Sequence, residues 1–141
     1  MEKLIKISPD IERAKSLLDM VFVRLSSIDI LFKTDAEKFS SKIVEEYYEA
    51  LFELITALMA LDGYKTRPEL PGTHIETINY LRKTYAELTE SEFQLLDELR
   101  TKRNGIKYYG KKVRVEYLQE RIGSMKKTID MLKRLVQKKL K

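Results

Sequence analysis

The segment IVEEYYEALFELITALMALDG, residues 43–63, decides the fold class. Its apolar residues recur at alternating spacings of three and four, which is the period of one face of an α-helix. Additional leucine, isoleucine and methionine residues widen this face, so we predict a helix that other elements enclose on nearly all sides. We expect the helix to start after Thr34 or Asp35 and to end at Gly63, a typical C-terminal cap. The principal apolar stripe comprises Ile43, Tyr47, Ala50, Leu54, Ala57 and Leu61.

The same helical periodicity extends over most of the remaining chain. Ser8, Pro9 and Asp10 predict the start of a first helix with Ser8 as its N-cap, and an apolar stripe follows from Ile11 to Phe32. The loop YKTRPELPGT, residues 64–73, precedes three further helices, predicted at about 73–88, from 89 or 91 onward, and at 113–139. No segment shows a convincing β-strand pattern. The sequence therefore predicts one all-α domain over residues 1–141, an antiparallel up-down bundle of four long helices and one shorter helix.

Composition excludes several classes of protein. The chain has no cysteine, so it has no disulfide framework and no thiolate metal site, and the expected compartment is a reducing cytoplasm. A single histidine rules out a pair of histidine ligands, and no phosphate-binding glycine motif occurs, so we predict no metal and no cofactor. No apolar run approaches the ~20 residues of a membrane span, and MEKLIKISPD at the N-terminus lacks a signal-peptide core. Abundant Lys and Glu with few Gln and Asn are typical of proteins from thermophiles.

The net charge of +5 is distributed very unevenly along the chain. Residues 1–99 contain 12 Lys and Arg against 19 Asp and Glu, a balance of −7. Residues 100–141 contain 15 Lys and Arg against 3 Asp and Glu, a balance of +12. Such asymmetry is typical of a polyanion-binding or acidic-protein-binding segment, and the alternative is an unusually basic solvated helix.

An arginine in the segment RTKRNGIKYYGKK, residues 100–112, occupies a position that should be apolar. Because a helix advances about 100° per residue, Arg103 falls in one narrow sector with Leu96, Leu99 and Ile106. Burial of an unpaired guanidinium is costly, so we expect Arg103 to lie in a cleft or interface with an anion, carboxylate or carbonyl partner. The alternative is a stem that packs on the core while its charged end reaches water.

Cations and phenols surround this arginine. Arg, Lys and stacking aromatic residues together are the usual components of single-stranded nucleic-acid sites. Gly105 weakens the helix and Gly110 ends or kinks it, and both allow a backbone or a phosphate to approach closely. The candidate binding residues are Arg100, Lys102, Asn104, Lys107, Tyr109, Lys111 and Lys112, beside Arg103 and Tyr108.

The segment ELRTKRNGIKYYG resembles the motif of the HEPN family (higher eukaryote and prokaryote nucleotide-binding domains). That motif consists of an Arg, a polar residue that is often Asn, a short spacer and a His or, in some branches, a Tyr. Arg103 and Asn104 match its first positions, and Tyr108 falls at the position of the His. YYEALFELITALMALDGYK resembles the family's Tyr-rich second helix, and His74 resembles a histidine common in one prokaryotic branch.

The resemblance implies a HEPN-like bundle that forms a homodimer, with two Arg-containing motifs across a shared cleft. It also implies RNA or nucleotide binding, or a metal-independent endoribonuclease of a toxin–antitoxin pair whose antitoxin is a minimal nucleotidyltransferase. Arg103 and Tyr108 are then the catalytic residues, although about 140° separates them on an ideal helix, so a kink or a second subunit would have to unite them. Tyr is a poor base in place of His, which weakens the case for cleavage and leaves binding unaffected.

Two alternatives remain open. The chain is either a noncatalytic module that binds a nucleotidyltransferase or another acidic protein, with Arg103 as a structural ion-pair residue, or a bundle without a dedicated ligand. We expect a local structural role for His74. Tyr47 and Tyr48 are expected in the core or at a dimer seam. Glu45, Glu46, Glu49 and Glu53 are expected to form a solvated ion-pair face with Lys38 and Lys42.

Overall fold

The computed structural model describes residues 4–67 and 69–141 and confirms the predicted all-α bundle. Four helices are long and one is short, as expected. A prediction of no strand was wrong, since two short strands pair beside the helices. In chain order the elements are β1 (Leu4–Lys6), α1 (Ile11–Asp35), α2 (Ser40–Asp62), β2 (Tyr64–Thr66), α3 (Thr73–Thr84), α4 (Glu90–Tyr109) and α5 (Val115–Leu140).

The second helix is the centre of the bundle. It contacts each of the other four helices, and Leu51, Leu54 and Ile55 are fully buried, as the wide apolar face predicts. It begins at Ser40, later than predicted, because α1 continues to Asp35 and the chain then turns over residues 36–39. Burial of this one helix on nearly all sides supplies much of the hydrophobic stabilisation of the fold.

The N-terminal end of α1 differs from the prediction by two residues. Asp10, not Ser8, is the N-cap, and its carboxylate accepts a hydrogen bond of 3.0 Å from the Arg13 backbone N–H. Pro9 thus precedes the helix. A carboxylate at this position also interacts favourably with the positive end of the helix dipole, which explains why the chain uses Asp10.

The two strands close the end of the bundle beside Gly63. They are antiparallel, and Ile5 of β1 lies opposite Lys65 of β2. Gly63 ends α2 in the left-handed conformation, with φ 84°, and its carbonyl accepts a 2.8 Å hydrogen bond from Ile7 N–H. Three residues are too few to display strand alternation, so the sequence could not predict them. Pro68 of the predicted loop lies outside the described residues.

The C-terminal end of α5 is attached to the end of α2. Lys139 Nζ lies 2.8 Å from a carboxylate oxygen of Asp62, and Tyr80 and Tyr85 donate hydroxyl hydrogen bonds to the same carboxylate. Burial alone would raise the pKa of Asp62, but these three donors hold it below its ordinary value. Tyr85 follows α3, which ends at Thr84 and so is shorter than predicted. Within the described residues, each helix is too short or too polar to serve as a membrane span.

Candidate functional site

Four polar residues of α4 form one face of that helix, which we call the cationic face. Arg100, Arg103, Asn104 and Lys107 follow the spacing i, i+3, i+4 and i+7, so they fall within about 100° of the helix circumference. The face is directed toward α2, because Arg103 contacts Glu49. All four are predicted site residues, Arg103 as a catalytic residue and the other three as residues that bind nucleic acid.

Arg103 is buried and paired. Its Nε–H donates a 3.0 Å hydrogen bond to Glu49 Oε1, and one Nη donates to Asn104 Oδ1 at 3.3 Å. The guanidinium carbon lies 5.8 Å from the ring centroid of Tyr48, within the range of a cation–π contact. The residue is only 8% exposed, so the arginine at an apolar position has a carboxylate partner and does not extend into water.

Arg100 has an unfulfilled hydrogen-bond donor next to this pair. Its Nε is buried and has no hydrogen-bond partner, and within residues 4–67 and 69–141 the side chain makes no ion pair. A buried donor without an acceptor costs on the order of 1–3 kcal/mol. Arg100 as a whole is only half-buried, so an external anion could supply the missing acceptor if the side chain turned outward from its present packing.

His74 lies beside the cationic face, although it belongs to the first turn of α3. Its imidazole stacks on Phe52 at 4.0 Å between centroids, and its Nδ1 lies 2.7 Å from the Tyr48 hydroxyl. Burial lowers the pKa of His74, and the charge of Arg103 lowers it further, while Glu49 opposes this effect. Lys107 and Arg100 also lower this pKa, so His74 experiences a net positive field. These contacts join α3 to α2.

The contact with Tyr48 determines which imidazole nitrogen carries the proton. Burial raises the pKa of Tyr48 far above its usual value, so the phenol keeps its proton. Tyr48 has no other acceptor within the described residues, so the tautomer that satisfies its O–H is the one in which His74 Nδ1 accepts. The neutral ring then carries its hydrogen on Nε2. His74 thus offers a further hydrogen-bond donor to an anion and does not act as a general base in this state.

Tyr108 joins the cationic face, and Tyr109 does not. The Arg103 guanidinium carbon lies 5.9 Å from the Tyr108 ring centroid, and Lys107 Nζ lies 5.6 Å from the same centroid. The long Arg103 side chain spans the predicted angular separation, so neither a kink nor a second subunit is needed. Tyr109 is 76% exposed and shares the other side of α4 with Lys102, which contacts the ring of Tyr117 in α5.

The segment after α4 contains two more of the predicted lysines, Lys111 and Lys112. Gly110 adopts the left-handed conformation with φ 64°, as expected for a C-terminal cap, and Lys111 N–H donates to Gly105 O at 3.0 Å. The Lys111 side chain lies over Gly105, so a side chain, rather than a backbone, approaches that glycine. Lys112 is exposed.

The four glutamates of α2 do not form the solvated face that the sequence predicts. Glu46 and Glu53 are buried and both contact Arg24 of α1, at 3.2 Å and 2.7 Å, while Glu49 contacts Arg103 of α4. This row of carboxylates lies between two helices, each of which contributes an arginine, and a single-helix pattern cannot show that. Lys42 pairs with Glu45 and Glu46 as predicted. The described part of the chain contains no cluster of three or more potential metal ligands.

No protein-family model matches this sequence, and no curated protein or solved structure is significantly similar to the chain. The family resemblance therefore rests on the motif residues and helix order alone.

Proposed function

We propose that this chain is a HEPN-type protein that binds single-stranded RNA, or a nucleotide, through the cationic face of α4. The proposal places a phosphate group of the ligand between Arg100 and His74, with Arg103 behind it. Lys107, Lys111 and Lys112 would contact neighbouring phosphates. The +12 balance of residues 100–141 supplies the long-range attraction for a polyanion.

The alignment of Arg100, Arg103 and Lys107 on one face of α4, beside the exposed ring of Tyr108, is the observation that carries this proposal. The Arg100 Nε, which has no acceptor among the described residues, adds to it. Arg24 and Arg121, in contrast, have carboxylate partners. Arg100 instead lies one turn from Arg103 and contributes, with Arg103 and Lys107, to the positive field at His74. A phosphate has enough acceptor oxygens to bind Arg100 and His74 Nε2–H together.

Tyr108 supports a ligand with bases. Its ring is 63% exposed and lies beside two cations, Arg103 and Lys107. An exposed ring at the edge of a cationic surface is a stacking platform for a nucleobase, with a typical contribution of about 1–3 kcal/mol per base. Tyr109 and Lys102 would serve a separate segment of the strand, since they lie on the other side of α4.

The geometry favours binding over cleavage. Attack by a ribose 2′-hydroxyl needs a base, and His74 Nε2 carries a hydrogen while Tyr48 occupies Nδ1. Arg103 would stabilise negative charge on a phosphate, yet Glu49 already compensates its own charge. We therefore expect RNA binding without metal-independent cleavage at neutral pH.

Titration of labelled single-stranded RNA against the purified protein at several salt concentrations tests the proposal. Arg100→Gln and Tyr108→Ala should each weaken binding by about fivefold or more, and Arg100→Gln should reduce the salt dependence by about one phosphate contact. Lys126→Ala is the matched control, because it removes a positive charge from the same basic segment but lies on α5 beside Leu25 and Phe32 of α1. Equal affinity for all four proteins would refute the proposal.

A second function, in a different class, is favoured by the Arg103–Glu49 pair itself. Because that pair is already complete, Arg103 is also consistent with a structural role in a noncatalytic module that binds an acidic partner protein, such as a minimal nucleotidyltransferase. Co-purification with the product of a neighbouring gene distinguishes the two. A stable protein complex that retains no RNA, together with unchanged RNA titrations for the variants above, would favour the interaction module.

A further inference from the structure

Helices α1 and α5 leave a cavity between them on the surface of α2. Both pack on α2, and they contact each other far less than either contacts α2. The cavity has a volume of about 250 Å³. Since an apolar cavity of ~150 Å³ can hold a benzene ring, this one has room for a ring with a short substituent. We call it the three-helix cavity, and its apolar wall comprises Leu25, Ile28 and Phe32 of α1, Tyr47 of α2, and Ile122 and Ile129 of α5.

The Tyr47 hydroxyl is the polar group of this wall, and it lacks a partner. Tyr47 is only 2% exposed, and its hydroxyl makes no hydrogen bond to another described residue. It is not sealed among packed atoms either, because Arg100 Nε is the one fully enclosed side-chain atom without a partner in the described part of the chain. The hydroxyl therefore opens into the three-helix cavity, which Tyr47 lines.

This phenol keeps its proton and offers it to an acceptor. Burial, with a smaller contribution from the negative charge of Asp29, raises the pKa of Tyr47 to about 12. At neutral pH the hydroxyl is thus a neutral donor that has left bulk water without gaining an acceptor, which is unfavourable. A water molecule is a poor substitute, because a buried water usually makes about three hydrogen bonds and the rest of this wall is hydrocarbon.

The mouth of the cavity does not favour an ion. It is formed by three exposed lining residues of mixed charge, Asp29, Lys126 and Asp130. An anion would meet two carboxylates there. A cation would meet the Lys126 ammonium, and the two carboxylates already pair with Lys33 at 2.9 Å and Lys133 at 3.7 Å. Since an apolar wall also disfavours a charged group, the cavity suits a neutral ligand.

We propose that the three-helix cavity binds a small neutral molecule with an apolar body and one carbonyl oxygen, such as an aromatic ketone. The carbonyl oxygen accepts the hydrogen bond from Tyr47 O–H, and the apolar body packs against the aliphatic side chains of α1 and α5. The ring of Phe32 is 38% exposed at present and would gain apolar contact when the ligand enters.

This site shares no residue with the cationic face. Tyr47 lies toward α1 and α5, whereas the next residue, Tyr48, contacts His74 and Arg103. Successive residues of a helix differ in direction by about 100°, so α2 presents the two tyrosines to different neighbours. The inference is therefore independent of the proposed RNA binding, and each is open to refutation without the other.

Titration of the methyl-labelled full chain with acetophenone, followed by NMR, tests the proposal. The methyl signals of Ile28, Ile122 and Ile129 should shift, because these residues line the cavity. The methyl signals of Ile75, which is 45% exposed on α3, should not shift. Benzoate has a similar body but a negative charge, so it should bind more weakly than acetophenone.

Replacement of Tyr47 by phenylalanine removes only the hydroxyl. Tyr47→Phe should weaken acetophenone binding about fivefold, as expected for one lost hydrogen bond, and should not weaken binding of ethylbenzene, which has no acceptor. The variant should also keep at least wild-type stability in urea denaturation, because the hydroxyl has no partner within the fold. Tyr80→Phe is the matched control, since it removes a hydroxyl that donates to Asp62 outside this cavity. It should lose stability and retain wild-type affinity for acetophenone.

Four results would overturn the proposal. The first is an acetophenone titration that shifts no methyl signal of the cavity, and the second is an unchanged acetophenone affinity in Tyr47→Phe. The third is benzoate binding as tight as acetophenone binding, because the mouth would then accept an anion. The fourth is a loss of stability in Tyr47→Phe as large as that in Tyr80→Phe, which would show that the Tyr47 hydroxyl has a partner within the fold.

Discussion

Replacement of Glu49 by glutamine should lower stability and raise RNA affinity. Glu49 Oε1 accepts the 3.0 Å hydrogen bond from Arg103 Nε–H, and the amide oxygen of the introduced glutamine would keep that acceptor while the negative charge is lost. The variant therefore removes only the charge that compensates Arg103. A purely structural role for the pair predicts lower stability and no change in RNA binding, so the two readouts separate the hypotheses.

The magnitude follows from the partly buried position of the pair. Side-chain exposure is 10% for Arg103 and 23% for Glu49, which places the pair between a surface and a buried ion pair. The gross Coulomb energy of two charges about 4 Å apart is about 4 kcal/mol at an effective dielectric constant near 20. Desolvation and the retained neutral hydrogen bond offset most of it, so we expect a loss of about 1–2 kcal/mol in unfolding free energy.

Without the negative charge of Glu49, the positive charge of Arg103 is no longer compensated and should attract a phosphate of the RNA more strongly. A gain near 1 kcal/mol corresponds to about fivefold tighter RNA binding, and one more phosphate contact steepens the salt dependence by about 0.7 for a single strand. Urea denaturation measures the loss of stability, and RNA titration at several salt concentrations measures the gain in affinity.

Glu45→Gln is the control for this experiment. Glu45 lies one turn before Glu49 on α2, has similar exposure, and pairs with Lys42 at 3.4 Å rather than with Arg103. It should change stability by less than about 0.5 kcal/mol, as is usual for an exposed pair, and it should leave the salt slope unaltered. The reasoning is refuted if Glu49→Gln leaves RNA affinity and salt slope at their wild-type values, or weakens binding.

Three further predictions concern stability. Gly63→Ala should lower the unfolding free energy by more than about 2 kcal/mol in urea denaturation, because a Cβ there would lie 2.8 Å from Ile7 O at φ 84°. Gly110→Ala should lower it by only about 1 kcal/mol, since Gly110 has φ 64° and open space around it. Equal losses would contradict the steric argument. Asp62→Asn should lower the unfolding free energy by about 1–3 kcal/mol in the same measurement, because it weakens two tyrosine hydrogen bonds and the ion pair with Lys139. An unchanged denaturation midpoint would show that the contact between α5 and Asp62 does not stabilise the fold. The pKa of His74 is lower in the folded chain than in the unfolded chain, so the unfolded chain binds more protons as pH falls below about 6.5. Wild-type stability should therefore decrease toward pH 5, and His74→Gln should show a smaller decrease. Parallel curves of stability against pH would exclude His74 as the cause.

The helices were predictable from the sequence because each buries one face, and burial of a helix face imposes a period near 3.6 on the chain itself. That period located α2 and its cap at Gly63, and it singled out Arg103 as a cation among leucines. Boundaries were less accurate, as at Asp10 in place of Ser8, because capping depends on which side chain reaches a free backbone N–H. The short strands left no periodic pattern at all.

The candidate site was only partly predictable. Arg100, Arg103 and Lys107 share one helix, so the sequence brings them together without further information. His74 and Tyr48 belong to other helices, and no local pattern indicates that they contact each other or approach Arg103. The glutamates of α2 were expected in solvent for the same reason, since the arginines that bury them come from α1 and α4.

The sequence by itself determined a bundle of amphipathic helices, a basic C-terminal third and an arginine at an apolar position, because these properties depend on residues close together along the chain. Only the tertiary structure decided that Glu49 pairs with Arg103, that the Arg100 Nε has no hydrogen-bond partner among the described residues, and that His74 contacts Tyr48 of α2. Charge compensation and desolvation depend on distances between separate helices, and packing around α2 sets those distances.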